Sequence, residues 1–331
     1  MANLLAADVG GTKTVCGLYA EGSRRPAPLA VERFQTLDYE NLEALLAAFL
    51  DRHRPASGIA AAVLGVAGPV RGETSDLTNV PWRVEAPAVR DRFAIPAVRL
   101  LNDLEAMGHV VSVLAAGERR TLQPGEPCAD GNAALIAPGT GLGETLLHRV
   151  DGRLVPVPAE AGHADFAART PAELALVRAL TGRFGRVSWE HVLSGPGLTY
   201  VHAYRHGGET CPAIEAGAAD RLPQRITESA LRRRCAHCVE TLDLFVGALG
   251  AEAGNLGLRA VATAGVYIGG GIAPHILPAL ASATFLDAFR AKHPMERLMN
   301  SLPVHVITVD NPALLGAAVA ARELASGRGA A

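Results

Sequence analysis

Aromatic residues are scarce in this sequence of 331 residues, at 5% of the total. Proteins that bind single-stranded nucleic acid stack bases on aromatic rings, and this composition offers no such platform. An excess of charge of one sign is also lacking, because 31 basic residues against 33 acidic ones leave a formal net charge of −2. No basic stripe is present to neutralise phosphates along a nucleic acid. We therefore expect no nucleic-acid partner.

A membrane partner is not expected either. The longest run without Asp, Glu, Lys or Arg is Ala260–Leu286, which contains three consecutive glycines and two prolines, residues that disfavour a membrane-spanning helix. The opening MANLLAADVGG has no basic region and only a short apolar run, so we expect no signal peptide. Five scattered cysteines, an odd number, fit a reducing compartment. We expect a cytoplasmic protein.

Two common nucleotide-binding signatures are missing as well. The sequence has no G-x-x-x-x-G-K-[ST], which excludes a P-loop enzyme. GTGLG lacks the G-x-G-x-x-G spacing and precedes strand-like ETLLHRV, which disfavours a Rossmann fold. What is present is a set of four Gly-rich turns that follow apolar strands: Asp8–Thr12, Gly65–Pro69, Gly139–Gly143 and Gly269–Gly271. Successive backbone N–H groups in such turns can surround an anion, and several turns together favour a nucleoside triphosphate.

The chain length favours two domains, and the pattern of elements indicates α/β structure. The segment NLLAADVGGTKTVCGLYA predicts a strand, a glycine turn and a second strand. The segment NAALIAPGTGLGETLLHRV repeats that pattern, with Gly139-Thr140 in the place of Gly11-Thr12. We interpret this as one supersecondary unit used once per domain, with the two turns facing a shared cleft. From the pattern alone, two unrelated Gly-rich hairpins remain the alternative.

Asn102 and Asp103 lie where the apolar strand IPAVRLL meets a helical pattern. A carboxylate at the end of a rigid strand is well placed to orient a hydroxyl group and accept its proton. Asp8 similarly ends the first strand, just before a Gly-Thr turn. A carboxylate there suits Mg²⁺, which binds through one or two carboxylates and keeps several waters. An Asp that bonds its own turn is the alternative for Asp8.

Glu160 and His163 stand three residues apart in the Gly/Ala-rich segment VPAEAGHADF. Small neighbours leave room for a ligand, and a carboxylate with an imidazole can accept from and donate to hydroxyl groups. A metal site there lacks a third ligand at the usual zinc spacing. Glu190, in SWEHVLSGPG, precedes another Gly-rich turn; considered alone, it is an ordinary surface helix residue.

Cys235-Ala-His-Cys238 is a lone C-x-x-C motif. One such pair without a second is a weak indication of zinc. The segment LRRRCAHCVETLDLFVGALGAEAGNLGLR predicts one long helix, so we expect the two cysteines to serve helix packing rather than redox chemistry or metal binding.

In combination, these motifs resemble the bacterial ATP-dependent glucokinase family, within the hexokinase and actin-like superfamily. DVGGT, LLND, GTGLG, E-x-G-H-x-D-F, VLSGPG, GGGI and DNPALLG occur in the family's order. The resemblance implies an α/β, two-domain actin-like (ribonuclease H-like) sugar kinase fold with sugar and ATP meeting in an interdomain cleft. It also implies a small domain of residues 1–112 plus 304–331, which takes back the last helix, and a large domain of residues 113–303.

The resemblance assigns a role to each candidate residue. Asp103 matches the catalytic base, Asn102 its sugar-binding neighbour, and Asp8 the acidic residue near magnesium. Glu160, His163 and Glu190 match positions that clasp sugar hydroxyls. The nucleotide-binding turns correspond to Gly10, Gly11, Thr12, Gly139, Thr140, Gly141, Gly269, Gly270 and Gly271. Glu144 departs from the family, which has a small or apolar residue after GTGLG, and we expect its carboxylate to point away from a triphosphate.

The implied reaction is transfer of the γ-phosphoryl group of ATP to the 6-hydroxyl of D-glucose, with Mg²⁺, by a homodimer. A kinase for another hexose or with a polyphosphate donor is one alternative. A non-catalytic, sugar-responsive binding protein is another; that class usually adds a DNA-binding helical domain, whereas this chain begins at strand one and has Asp103. Related zinc-bearing sugar kinases carry a Cys-rich loop near E-x-G-H, which this sequence lacks; its absence favours the metal-free glucokinase branch.

Overall fold

The structure is a computed structural model that describes residues 2–22, 24–55, 57–77, 80–209, 211–214 and 221–327. Its strands are β1 (Asn3–Val9), β2 (Lys13–Ala20), β3 (Ala27–Gln35), β4 (Ile59–Val66), β5 (Val70–Arg71), β6 (Thr74–Asp76), β7 (Arg83–Glu85), β8 (Ala97–Asn102), β9 (Arg119–Gln123), β10 (Ala133–Pro138), β11 (Leu142–Val150), β12 (Arg153–Val157), β13 (Gly265–Ile268) and β14 (Val304–Ile307). Its helices are α1 (Leu42–His53), α2 (Ala86–Phe93), α3 (Asp103–Val110), α4 (Pro171–Phe184), α5 (Gly195–Arg205), α6 (Leu222–Leu231), α7 (Ala236–Ala260), α8 (Leu277–Leu280), α9 (Ala283–Arg290), α10 (Glu296–Ser301) and α11 (Pro312–Ala325).

The chain divides into two compact units. The first comprises Met1–Ala115, Arg153–Pro158 and Val309–Ala331, and the second comprises Ala116–Gly152 and Ala159–Thr308. Residues 304–308, which the sequence analysis assigns to the small domain, lie in the second unit because β14 pairs with β13 and β9 there. The segment containing β12 belongs to the first unit, where it contacts α3.

The first unit is built on a sheet with the strand order β3-β2-β1-β4-β8. Strand β1 is antiparallel to β2 and parallel to β4, which is parallel to β8. Both faces of β1 are covered. Leu5, Ala7 and Val9 join the apolar cluster around α1, while the alternate residues face the side on which α11 packs. Burial on both faces explains the nearly continuous apolar sequence of β1 and β4.

The second unit repeats this arrangement with the strand order β11-β10-β13-β14-β9. Strand β10 is antiparallel to β11 and parallel to β13, which is parallel to β14. The order β11-β10-β13-β14 therefore corresponds to β2-β1-β4-β8, and the repeated hairpin predicted from sequence is confirmed. The core of this unit surrounds α7 and includes Trp189, Phe245, Phe285 and Phe289.

The long helix predicted from Leu231 onward is wrong in one respect, because two helices occupy the segment. Helix α6 ends at Leu231 and α7 begins at Ala236. Between them, Arg233 adopts φ +52°, a left-handed conformation that no α-helix accommodates. Cys235 is therefore the N-cap residue of α7 rather than an interior helix position. Within the described part of the chain, no helix is long and apolar enough to cross a membrane.

Candidate active site

Asn102 and Asp103 stand at a direct junction between β8 and α3. Asn102 is the last residue of β8 and the N-cap of α3, and its Oδ1 accepts a hydrogen bond from the Leu104 N–H at 3.0 Å. Its Nδ2 donates to the Gly68 carbonyl oxygen at 3.5 Å, which ties it to the turn after β4. Asp103 is the first residue of α3, where the helix dipole favours negative charge. The junction thus fixes both side chains on rigid elements.

Two glycines allow α3 to lie close to its neighbours. A Cβ at Gly65 of β4 would lie 3.1 Å from Ala106 Cβ and 3.7 Å from Asp103 Cα. A Cβ at Gly316 of α11 would lie 1.9 Å from the Ala106 carbonyl oxygen. Helix α3 is therefore held between β4 and α11 at near-contact of the backbones, which restricts the position of Asp103.

Asp8 lies in the same unit, at the buried end of β1. It pairs with Gly65 of β4, which in turn pairs with Leu101 of β8. Burial, and then the negative charge of Asp103, raise the pKa of Asp8 to about 6. Two half-buried carboxylates that repel one another form a site that a cation would stabilise.

The turn Gly10-Gly11-Thr12 connects β1 and β2. The Gly10 N–H donates to the Lys13 carbonyl oxygen at 3.0 Å, and a Cβ at Gly10 would lie 2.9 Å from that same oxygen. Thr36 supports the turn, because its Oγ1 donates to the Gly10 carbonyl oxygen at 2.8 Å and its N–H donates to the Thr12 carbonyl oxygen at 3.0 Å. Nothing in the sequence near the turn indicates Thr36, which the sequence analysis missed.

In the second unit, Gly139-Thr140-Gly141 follows β10 and lies against Glu190. The Gly139 N–H donates to the Gly141 carbonyl oxygen at 2.8 Å, which closes the turn. The Leu142 N–H donates to Glu190 Oε2 at 2.9 Å. A Cβ at Gly141 would lie 2.6 Å from that same oxygen, so a larger residue would displace the carboxylate. Glu190 is thus a partner of this turn, a contact that its isolated sequence position does not indicate.

Gly269-Gly270-Gly271 follows β13, the parallel neighbour of β10. The Gly269 N–H donates to the Ile136 carbonyl oxygen at 2.8 Å, and Gly270 has φ +78°. A Cβ at Gly270 would lie 2.3 Å from the Pro138 carbonyl oxygen, so only glycine fits. The carboxyl ends of two adjacent parallel strands therefore bring both Gly-rich turns of the second unit together, an arrangement suited to a phosphate chain.

Glu160 precedes a short 3₁₀ turn, Ala161–His163, and His163 is its last residue. This turn lies beside Glu190. His163 Nδ1 lies 3.9 Å from Glu190 Oε1, and the Glu190 N–H donates to the Gly162 carbonyl oxygen at 2.9 Å. Gly162 packs on the start of β11, where a Cβ would lie 2.1 Å from the Leu142 carbonyl oxygen. Glu160 is exposed at the N-cap of this turn. Close packing against β11 thus explains the glycine of E-x-G-H.

Arg186 also supports this turn, and the sequence analysis missed it. Its Nη1 donates to the His163 carbonyl oxygen at 2.7 Å and to Asp165 Oδ1 at 2.9 Å. His191 stacks on Phe184 with ring centroids 4.1 Å apart, and burial lowers its pKa from the usual value. Only the folding of this segment back on itself makes these residues neighbours of His163 and Glu190.

Glu144 is fully buried in the core, beside Glu252 of α7. Burial, and then the charge of Glu252, raise the pKa of Glu144 to about 8. The side chain is therefore largely protonated at neutral pH and does not place a negative charge beside the Gly139–Gly141 turn.

Two α/β units with the same hairpin and parallel-strand arrangement, Gly-rich turns and carboxylates at strand ends define the chain as an actin-like sugar kinase. The comparisons with known proteins narrow this class. The Glucokinase family profile matches residues 5–324. A glucokinase from Chelativorans sp. (strain BNC1) is 38% identical over 96% of this chain and 91% of its own length. The chain belongs to the glucokinase family.

Solved structures agree with this fold. The crystal structure of a glucokinase from an Antarctic psychrotroph is similar, with a TM-score of 0.84, 27% identity and coverage of 98% of this chain and 99% of its own. A ROK family glucokinase from Streptomyces griseus, solved in complex with glucose and AMPPNP, has the same fold, with a TM-score of 0.63, 21% identity and coverage of 97% of this chain and 100% of its own.

Proposed function

We propose that this protein transfers the γ-phosphoryl group of ATP to the 6-hydroxyl of D-glucose, giving glucose 6-phosphate and ADP. Membership of the glucokinase family supports this reaction. The observation that carries the mechanism is the β8–α3 junction, where Asp103 begins a helix held at near-contact by its neighbours. Phosphoryl transfer depends mainly on positioning and on electrostatic stabilisation, and such a junction supplies positioning.

Asp103 acts as the general base in this proposal. Its carboxylate orients the 6-hydroxyl and accepts the proton as the oxygen attacks the γ-phosphorus in a loose transition state. General base assistance contributes roughly 10²–10⁴-fold to rate. Asn102, held by Leu104 and Gly68, binds the sugar beside the base.

The remaining sugar contacts come from Glu160, His163 and Glu190. Because Glu190 uses Oε2 to accept from Leu142, its Oε1 is left facing His163 and is available to a sugar hydroxyl. Carboxylates that accept from hydroxyl groups discriminate strongly against analogues that lack those groups. The Streptomyces griseus neighbour was solved with glucose and an ATP analogue, which supports these two small molecules as ligands of the fold.

Backbone N–H groups bind the triphosphate in this proposal. They belong to the turns Gly10-Gly11-Thr12, Gly139-Thr140-Gly141 and Gly269-Gly270-Gly271, whose small residues allow close approach. We expect slow ATP hydrolysis without sugar, because a kinase site suppresses this side reaction by excluding water.

Mg²⁺ fits the residues around Asp8. The donor is a hard carboxylate oxygen, and the repulsion by Asp103 that contributes to the raised pKa of Asp8 is one that a cation would relieve. Asp8 would hold the ion, which when bound neutralises charge on the phosphates. A homodimer in the cytoplasm remains the expectation for assembly and location, and light scattering after size exclusion would test the dimer.

The test is coupled ADP production with Mg²⁺-ATP and glucose, mannose, fructose or N-acetylglucosamine. We expect turnover with glucose, and a loss of about 10²-fold or more in kcat for Asp103→Asn. Asp151→Asn is the matched control, because Asp151 is exposed in the turn after β11 and its φ of +49° suits asparagine. Turnover with another sugar and not with glucose would show that the proposed sugar is wrong. No turnover with any sugar by folded protein would contradict the proposal.

A further inference from the structure

A cluster of histidine and cysteine side chains lies in the second unit, apart from the residues assigned to sugar or nucleotide. His202 and His206 project from α5 and the residue following it, Cys211 lies in the next segment, and Cys238 is in the first turn of α7. Their potential ligand atoms all lie within 4.8 Å of one another. We refer to these four residues as the His/Cys cluster.

The distance between the two sulfurs of the cluster agrees with tetrahedral zinc. Cys211 Sγ and Cys238 Sγ lie 3.7 Å apart. Two sulfurs bonded to one tetrahedral Zn²⁺ at about 2.3 Å are separated by about 3.8 Å, whereas a disulfide requires about 2.05 Å. Cys235 lies beside the cluster, with its Sγ 3.5 Å from His206 Nε2.

His202 provides an independent indication of a ligand. Its side chain is 7% exposed, and its Nε2 has no hydrogen-bond partner within the described residues. A buried polar nitrogen without a partner is costly, and a bound metal would satisfy it. A neutral imidazole nitrogen is a common metal ligand.

The local structure explains how residues distant in sequence converge. His202 and His206 are four apart and thus share one face of a helical segment. The break between α6 and α7, with Arg233 at φ +52°, places Cys235 at the N-cap and Cys238 one turn into α7. In the folded chain, two histidines and a third cysteine therefore lie beside the lone C-x-x-C motif.

We propose that the His/Cys cluster binds one structural Zn²⁺ through the thiolates of Cys211 and Cys238 and the imidazoles of His202 and His206. Four protein ligands fill a tetrahedral shell and leave no position for a substrate, so the site is structural and not catalytic. The ion joins α5 to the start of α7 within the second unit. Cysteine binds a metal as its thiolate, so binding would release the two thiol protons.

The test begins with zinc content. The full chain, produced with zinc and freed of any histidine tag, is dialysed and its metal is measured by mass spectrometry. We expect about one Zn²⁺ per chain, retained in Cys128→Ser and lost in Cys211→Ser and Cys238→Ser. Cys128 is an exposed free cysteine of the same unit and gives the matched control. Retention of zinc by Cys238→Ser would overturn the proposal.

Cys235→Ser distinguishes the ligand set, because Cys235 is adjacent to the cluster but is not one of the four. We expect this variant to keep zinc and His202→Ala to lose it. The reverse pattern would overturn the assignment of His202 and show that Cys235 is the fourth ligand.

Two measurements on the unmutated protein cover the case in which variants fail to fold. Cobalt added to the zinc-free chain is expected to give the visible absorption of a tetrahedral ion and a thiolate-to-cobalt band. Chelation is expected to lower Tm, and one equivalent of Zn²⁺, unlike Mg²⁺, to restore it. An octahedral cobalt spectrum or an unchanged Tm after chelation would overturn the proposal.

Discussion

At the scale of single residues, ionisation states are decided by what each carboxylate lies against. Asp8 is half-buried and Glu144 fully buried, and each lies beside another acid, Asp103 in one case and Glu252 in the other. The pKa of each is raised, to about 6 and about 8. The consequence differs, because Asp8 lies among the proposed catalytic residues and Glu144 lies in the core.

The raised pKa of Asp8 predicts a pH dependence of the reaction. Mg²⁺ requires the ionised carboxylate, which predominates only above about pH 6. We expect kcat/KM for ATP at low Mg²⁺ to fall about tenfold per pH unit below this value. Excess Mg²⁺ should shift the fall to lower pH, because the cation stabilises the carboxylate. A pH profile measured at two magnesium concentrations checks this, and a break that does not move with magnesium would contradict the role of Asp8.

Glu144 predicts a pH dependence of stability. Its folded-state pKa of about 8 lies above the ordinary 4.5, so between these values the folded state binds the extra proton. The free energy of unfolding should therefore decrease as pH rises from about 4.5 to about 8, at up to about 1.4 kcal/mol per unit. Glu144→Gln keeps the shape and removes the ionisation, so its profile should be flatter.

The measurement is urea unfolding of both proteins at several pH values. Glu126→Gln is the control, since Glu126 is exposed in the same unit and should leave the profile unchanged. Parallel profiles for Glu144→Gln and the unmutated protein would contradict a buried, protonated Glu144.

At the scale of elements, the packing of α3 between β4 and α11 positions Asp103. A methyl group on Gly316 would meet the Ala106 carbonyl oxygen at 1.9 Å and the Val110 nitrogen at 3.2 Å. Helices α3 and α11 therefore contact one another through backbone atoms. No residue larger than glycine at position 316 permits this contact.

Gly316→Ala should separate α11 from α3 and displace Asp103. We expect a loss of about 1–3 kcal/mol in the free energy of unfolding and a lower kcat, although alanine is the better helix former. Gly182→Ala in α4 is the matched control, because a Cβ there meets nothing within 4 Å, and we expect a gain of up to about 1 kcal/mol. Equal effects of the two variants in unfolding and kinetic assays would contradict this account of Gly316.

The break between α6 and α7 also explains why the prediction of one long helix from Leu231 onward was wrong. The sequence from Leu231 onward has helical periodicity throughout, and periodicity does not register a single left-handed residue such as Arg233. The resulting start of α7 determines where Cys235 and Cys238 lie.

At the scale of the whole molecule, two units share one sheet design. Strands β1 and β10 each form a hairpin closed by a Gly-Thr turn and each have a parallel neighbour on the other side. The Glucokinase family match, over residues 5–324, covers both of these hairpins.

The sequence by itself determined the features that local chemistry specifies. Two glycines with a threonine close each hairpin, and an asparagine at a strand end caps the following helix, so the turns and the Asn102–Asp103 junction could be predicted. The repetition of a hairpin pattern was visible for the same reason.

Only the tertiary structure decided which distant segments meet. Glu190 contacts the Gly141–Leu142 backbone, Thr36 supports the first turn, and Glu144 faces Glu252, because strand register and helix packing bring these pairs together. His202 and Cys238 likewise become neighbours only because α5 packs on α7. Burial and contact between residues far apart in the chain depend on packing, which no local pattern of side chains encodes.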